Sequence, residues 1–276
     1  FTLLANQSYF ADLLNSTEAR MAIHGSEIVI NCAGVTGGAP LAVNDPTALV
    51  IPNVILGSNI IDACYREKVE RLGLLSSTVV YPPRERPVIE MDAWSGEPYS
   101  LYFGIAWVKR FLEKLAQFYE DNRLLKVAIV RPSGAYGRYD NFDEKTSHVL
   151  PALINRAMRI QEPPFLLWGN GQDVRDFVHA SDIAQGILLA TMLQCDCNPI
   201  NIASGESVTT LNLARLILSS FNKTNFSIQL DETKPSALPT RLVSIEKARH
   251  LLGYQPQTSL INGIQDTVKW FRGDFE

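Results

Sequence analysis

The stretch "YFGIAWVKRFLEK", residues 102–114, places Lys109 one helical turn after Ile105. A phenol four residues before a lysine would share its helix face, and the ammonium would lower the phenol's pKa, making a proton-delivering pair. Ile105 has no proton to give or take. Tyr102 is the substitute at hand, but helical side chains lean toward the N-terminus, which aims it away from Lys109 and leaves core packing as its other role. Further chemistry-bearing types follow along the chain. The hydroxyls of "SST", residues 76–78, can donate to developing oxyanion charge or merely cap a strand and satisfy loop amides. His148 in "TSHVLP" is an acid or base suited to neutral pH, or a histidine at a helix start. Arg175 in "DVRDFVH" offers a fork for phosphate oxygens, or a partner for Asp173 or Asp176.

Composition narrows what these groups could serve. The 276 residues are 46% hydrophobic and 20% charged, with a formal net charge of -4, the make-up of a globular protein with one domain and a smaller second one. No basic field or Lys/Arg run is present to hold nucleic acid. No apolar run approaches the roughly 18 residues that span a bilayer, and "FTLLANQSYF" lacks a basic n-region and a signal-like core. The expectation is a soluble, cytoplasmic protein without a membrane partner. Cys32, Cys64, Cys195 and Cys197 lack the paired spacing that zinc favours, so free thiols and no metal site are expected. Sequons at Asn6, Asn15, Asn222 and Asn225 read as chance in the absence of a signal peptide.

The elements that must position these groups alternate. A helix near 8–22 precedes "EIVINCAG", a long helix over about 46–67 precedes "LGLLSSTVVY", and the helix carrying Lys109, about 101–121, precedes "LKVAIVRPSG". Runs such as "EIVIN" and "VAIVR" are apolar on both faces, which suits parallel strands covered by helices on two sides. The fold class is α/β, a doubly wound parallel sheet of Rossmann-like form. After Pro132 the polar stretch "RYDNFDEKTSH" reads as a binding loop. "SDIAQGILLATML" reads as a helix capped by Ser181 or Asp182, "NPINIAS" as a strand returning to the sheet, and the remainder as a mostly helical C-terminal part. The boundaries expected are 1–135 for a nucleotide-binding core, with 177–203 returning to it, and 136–176 with 204–276 for a smaller substrate-binding lobe.

Doubly wound nucleotide-binding domains open with a strand, a glycine-rich turn and a helix, and no GxGxxG or GxxGxxG occurs here. The first βαβ unit therefore reads as missing: either a longer chain supplies it or the site was never present.

The motifs "NCAGVTGG", "IPNVILGSNIIDAC", "SSTVVYP", "RPSGAYGRYDNF" followed by "SHVLPALI", "LWGNGQDVRDFVHASDIA" and "TKPSALPTR", in this order and spacing, carry a resemblance. The chain resembles the extended short-chain dehydrogenase/reductases, NAD-dependent epimerases and dehydratases, and within them the GDP-fucose synthase branch. The match runs over nearly the whole length.

The resemblance implies roles residue by residue. Ser77 matches the serine that hydrogen-bonds the reacting sugar oxygen. Lys109 matches the lysine that binds the nicotinamide ribose and tunes the catalytic tyrosine, whose place Ile105 occupies. His148 matches one of two epimerisation groups; the other, a cysteine in that branch, is Val79 here. Ala33 and Gly34 match small residues along the adenosine half of NADP or NAD, and Pro132, Ser133 and Gly134 the stretch beside the nicotinamide. Arg175 matches a ligand of the nucleotide-sugar diphosphate, Trp168 and Lys234 line the nucleotide and sugar pocket, Arg241 adds charge, and Asn53 lies near the active site or on a helix surface. The long helices over 46–67 and 101–121 imply a homodimer. Two functions are compatible with this set: an epimerase or reductase acting on a 4-keto-hexose nucleotide, and a catalytically impaired relative or partner subunit that binds nucleotide sugar without turnover.

Overall fold

The structure, a computed structural model, describes residues 10–233 and 240–274. In chain order its main elements are α1 (Ser16–Ile23), β1 (Ile28–Asn31), α2 (Ala39–Asn44), α3 (Ile51–Arg66), β2 (Arg71–Leu75), α4 (Phe103–Asp121), β3 (Lys126–Pro132), β4 (Gly134–Tyr136), α5 (Val149–Arg159), β5 (Phe165–Trp168) and β6 (Val174–Arg175). They continue with β7 (Phe177–His179), α6 (Ala180–Leu193), β8 (Ile200–Ile202), β9 (Val208–Thr209), α7 (Thr210–Ser220), β10 (Ile228–Asp231), β11 (Thr240–Arg241), α8 (Glu246–Leu252) and α9 (Leu260–Arg272).

Strands β1, β2, β3 and β8 lie side by side in that order, and every pairing is parallel. The runs "EIVIN" and "VAIVR" thus share one sheet, as their two-sided apolar character requires. Helices α3 and α4 bury Ile60, Ile61, Val108, Leu112 and Ala116 with Leu72, Leu74, Val127 and Ile129 on one face. Helices α6 and α8 bury Ile183, Ile187, Ala190, Ala248 and Leu252 with Ala128, Val130, Ile200 and Ile202 on the other. A separate core joins α5, α7 and α9 through Leu150, Leu153, Ile154, Leu213, Ile217, Ile264 and Val268, and this is the second lobe.

Three sequence expectations shift. Val243, Ile245, Leu252 and Tyr254 pack into the core around β3 and β8, so the segment after 204 is shared between the two bodies. β10 pairs in parallel with β5, adding a strand pair to a part expected to be mostly helical. Helix α6 is capped by His179, whose Nδ1 accepts from the Ser181 N–H at 3.4 Å. Asp182, buried, accepts instead from the N–H groups of Gln257 and Thr258 at 2.9 and 3.1 Å. A carboxylate that must be paired when buried has been used to fasten the C-terminal segment.

Candidate active site

The carboxyl ends of β1, β2 and β3 form one rim of the site, the position where open α/β sheets bind ligands. After β1 the chain passes through Ala33 and Gly34, both exposed, and a Cβ on Gly34 would stand 3.1 Å from Asn53 Oδ1. The loop is held by Asn53 itself: its Oδ1 accepts from the Val35 N–H at 3.0 Å, and its Nδ2 donates to the carbonyls of Val35 and Leu49 at 2.9 and 2.8 Å. Asn53 is 3% exposed. Buried rather than on the helix surface, it braces the small-residue loop because a buried amide needs all its bonds made.

At the end of β2, Ser77 Oγ accepts from the Val79 N–H at 3.2 Å and caps a short 3-10 turn over Thr78–Val80. The capping bond uses a lone pair and leaves the O–H to donate, so the capping and oxyanion readings coexist at Ser77. Lys109 reaches the same strand end, its Nζ donating to the Leu75 carbonyl at 3.1 Å. Burial lowers the pKa of this ammonium, and the Glu113 carboxylate opposes the shift. Ile105, one turn before, packs with the apolar cluster between α3, α4 and the sheet. After β3, Pro132 and Ser133 are buried and Gly134 is half-buried. Ser133 Oγ donates to Asp176 Oδ1 at 2.7 Å, so its hydroxyl is turned into the fold. In the stretch 132–134, Gly134 alone stays partly open.

The opposite rim comes from the lobe. β11 pairs with β6 in parallel register, with Arg241 opposite Arg175, and partners in such a pair project to one face. Arg175 Nη2 lies 3.3 Å from Asp173 Oδ2, so it does pair with the nearer aspartate. Among the described residues no carboxylate pairs with Arg241; its guanidinium lies 5.3 Å from the Tyr102 ring centroid. Burial, with the neighbouring Arg175, lowers Arg241 to about 10, while Tyr102 and Tyr99 oppose that shift. Tyr102, whose ring centroid is 6.4 Å from that of Tyr99, therefore belongs to this cationic and aromatic cluster, whereas Lys109 turns to the end of β2. Trp168 is 45% exposed at the end of β5, with the Arg156 guanidinium 5.4 Å from its ring. Lys234 lies outside the described residues.

His148 connects the two rims. It precedes α5 as its N-cap residue without a side-chain capping bond, and its ring is pushed toward the neutral form by its surroundings and by Arg241. Its loop docks on the segment after Ala33 and Gly34 through the Gly38 N–H, which donates to the Thr146 carbonyl at 2.9 Å. A Cβ on Gly38 would meet the Ser147 carbonyl oxygen at 2.2 Å. Gly38 and Tyr99 are site residues that sequence reasoning missed; the "GG" within "VTGGAP" was the signal for the first, since glycine marks close backbone approach.

A parallel α/β core with small open residues at its strand ends, an amine-bearing helix behind them, and a facing lobe of arginines and aromatics defines a two-part nucleotide-binding architecture of the enzyme type. Residues 3–203 match the NAD dependent epimerase/dehydratase family, and the chain belongs to that family. A GDP-L-fucose synthase of Sinorhizobium fredii (strain NBRC 101917 / NGR234) is 30% identical over 251 residues, covering 88% of this chain and 78% of that one. A dTDP-4-dehydro-6-deoxy-D-allose reductase of Streptomyces bikiniensis is 26% identical, covering 89% and 74%. The crystal structure of a GDP-L-fucose synthetase from Naegleria fowleri bound to NADP superimposes with a TM-score of 0.84 at 26% identity, over 96% of this chain and 83% of that one. Among the described residues no helix is long and apolar enough to cross a membrane, no cluster could hold a metal ion, and the four cysteines are free.

Proposed function

We propose that the chain is an NAD(P)-dependent epimerase or reductase of a nucleotide-diphosphate sugar bearing a 4-keto-hexose. The observation that carries the reading is the register of Arg175 with Arg241 across β6 and β11. Two desolvated guanidiniums on one face repel each other, and a diphosphate placed between them relieves that repulsion with charge-assisted bonds. Tyr99, Tyr102 and Trp168 would flank the sugar and base. The small open residues Ala33 and Gly34 and the buried amine of Lys109 fit a dinucleotide lying along the strand ends. That cofactor, NADP or NAD, supplies the hydride when bound. Ser77 would donate its O–H to the sugar oxygen, Lys109 would hold ribose hydroxyls, and neutral His148 would take or return a proton beside the carbonyl.

A second reading is favoured by Ile105 and Val79, which leave the site without a phenol beside Lys109 and without a second epimerisation group: a chain that binds nucleotide sugar with impaired turnover. Both readings include a homodimer through α3 and α4. Calorimetric titration of GDP- and dTDP-sugars tests the shared part. Arg175→Ala and Arg241→Ala are each expected to weaken binding about ten- to a hundredfold, the loss of one charge-assisted phosphate contact. Equal affinities in parent and variants would remove the arginine pair from the site. Turnover of a 4-keto nucleotide sugar with NADPH or NADH then separates enzyme from binder.

A further inference from the structure

Behind the ends of β2 and β3 lies a buried polar network outside the residues assigned above to cofactor and sugar. Glu113, on α4 one turn after Lys109, is 4% exposed, and Arg131, the residue before Pro132 in β3, is 1% exposed. Glu113 Oε1 accepts from Ser76 Oγ at 2.5 Å and from Arg131 Nε at 2.9 Å, and Oε2 accepts from Arg131 Nη2 at 2.6 Å. Arg131 Nη1 donates onward to Tyr81 Oη at 3.0 Å and to the Glu90 carbonyl at 2.8 Å, and the Tyr81 O–H donates to Asn201 Oδ1 at 2.5 Å.

The geometry is a clamp. Lys109 and Glu113, a helical turn apart, hold the consecutive residues Leu75 and Ser76, through the Leu75 carbonyl and the Ser76 hydroxyl. The Ser76 N–H donates to the Val130 carbonyl at 2.7 Å from the other side. Ser77 is the next residue. A buried ion pair is no more stabilising than apolar residues of the same volume, so fold stability alone does not account for a charge pair here. Its position directly behind Ser77 and Lys109 does.

We propose that Glu113 is a positioning residue for Lys109: with Ser76 and Arg131 it holds the ammonium against the end of β2, beside Ser77. The inference rests on the reading above that puts Lys109 in the site. The Glu113 carboxylate acts to keep the Lys109 amine protonated against burial.

Competitive trace labelling of amines in the intact protein, read by mass spectrometry with Lys114 as internal reference, tests this without cofactor or sugar, so a failed activity assay leaves the outcome legible. Glu113→Gln is expected to raise the Lys109-to-Lys114 labelling ratio at neutral pH about threefold, because a less supported ammonium gives up its proton more readily. Glu113→Asp, which keeps the charge, is expected to bring the ratio back toward the parent. Should Glu113→Gln fail to fold because Arg131 is left buried and unpaired, Glu113→Gln with Arg131→Met removes both charges and is expected to show the same rise. An unchanged ratio in the folded variants overturns the proposal, as does an Asp variant as reactive as the Gln variant, which would make packing rather than charge the controlling factor.

Discussion

The reductase reading can be tested at Ile105. General acid catalysis contributes about 10²- to 10⁴-fold, and at position 105 the chain offers an isoleucine packed with the α3–α4 cluster. Ile105→Tyr is expected to raise turnover of a 4-keto nucleotide sugar, measured by oxidation of NADPH, at a stability cost of about 1 to 3 kcal/mol for the larger ring. A folded, cofactor-bound variant with unchanged turnover would show that the phenol is not what limits the reaction. Asp140 gives a second test at this scale, in the loop that leads to His148. Burial pushes its carboxyl up to about 6, against a backbone bond from Asn141 that pulls the other way. The folded state therefore holds a proton that the unfolded chain releases near pH 4. The stability this proton contributes is full below about pH 4 and is lost as pH rises through about 6. Asp140→Asn, which keeps the acceptor for the Asn141 N–H, is expected to stabilise the protein at pH 7.5 by about 1 to 2 kcal/mol after allowance for partial solvation, and by roughly a third as much at pH 4.5. Chemical denaturation at the two pH values reads the difference. A variant no more stable than the parent at pH 7.5 would mean that Asp140 is ionised without penalty.

At the scale of elements, the approach of two loops matters most. Gly38 lets the backbone of residues 146–148 lie against the segment after β1, which brings the His148 loop to that strand end. Its φ is -77°, so an alanine is conformationally allowed and the effect of a methyl group is steric alone. Gly38→Ala is expected to push the His148 loop away, weakening nucleotide-sugar binding about tenfold or more while changing thermal stability by only a few degrees; calorimetry and a melting curve check the pair of outcomes. Intact affinity would show that the loop carries no part of the site. The elements themselves were largely legible in the sequence, because helix and strand periodicities differ and the apolar runs "EIVIN" and "VAIVR" admit few partners. What was not legible depended on pairing at long range. Asn53 reads as an ordinary helix residue until Val35 is seen to fold back onto it. Nothing near Ser133 in the sequence shows that its hydroxyl is bonded to Asp176, 43 residues later. Arg131 ends a run read as apolar on both faces, and nothing local identified Glu113 as the partner that its buried charge requires.

For the whole molecule, the face of α3 and α4 turned away from the sheet is the surface left to account for. On α4, Phe103, Trp107, Phe111 and Phe118 recur at helical spacing on one exposed stripe, and on α3 Ile51, Ile55 and Tyr65 do the same. The two helices pack closely enough that a Cβ on Gly57 would stand 2.4 Å from Leu112 Cδ1, so the stripes lie side by side. Seven large apolar side chains in one such area exceed what a monomer ordinarily leaves to water. A second copy related by a two-fold axis would cover both stripes at once, since an isologous contact uses the same patch on each subunit. Such a bundle would bury about 800 Å² per partner if it is of ordinary interface size. Phe111 lies near the middle of the α4 stripe. The protein is therefore expected to sediment as a dimer at micromolar concentration, and Phe111→Glu to sediment as a monomer with unchanged far-ultraviolet circular dichroism, because two carboxylates would be buried against each other at the axis. Sedimentation of the parent as a monomer at tens of micromolar would refute the dimer, and a Phe111→Glu protein that still dimerises would move the interface to another face.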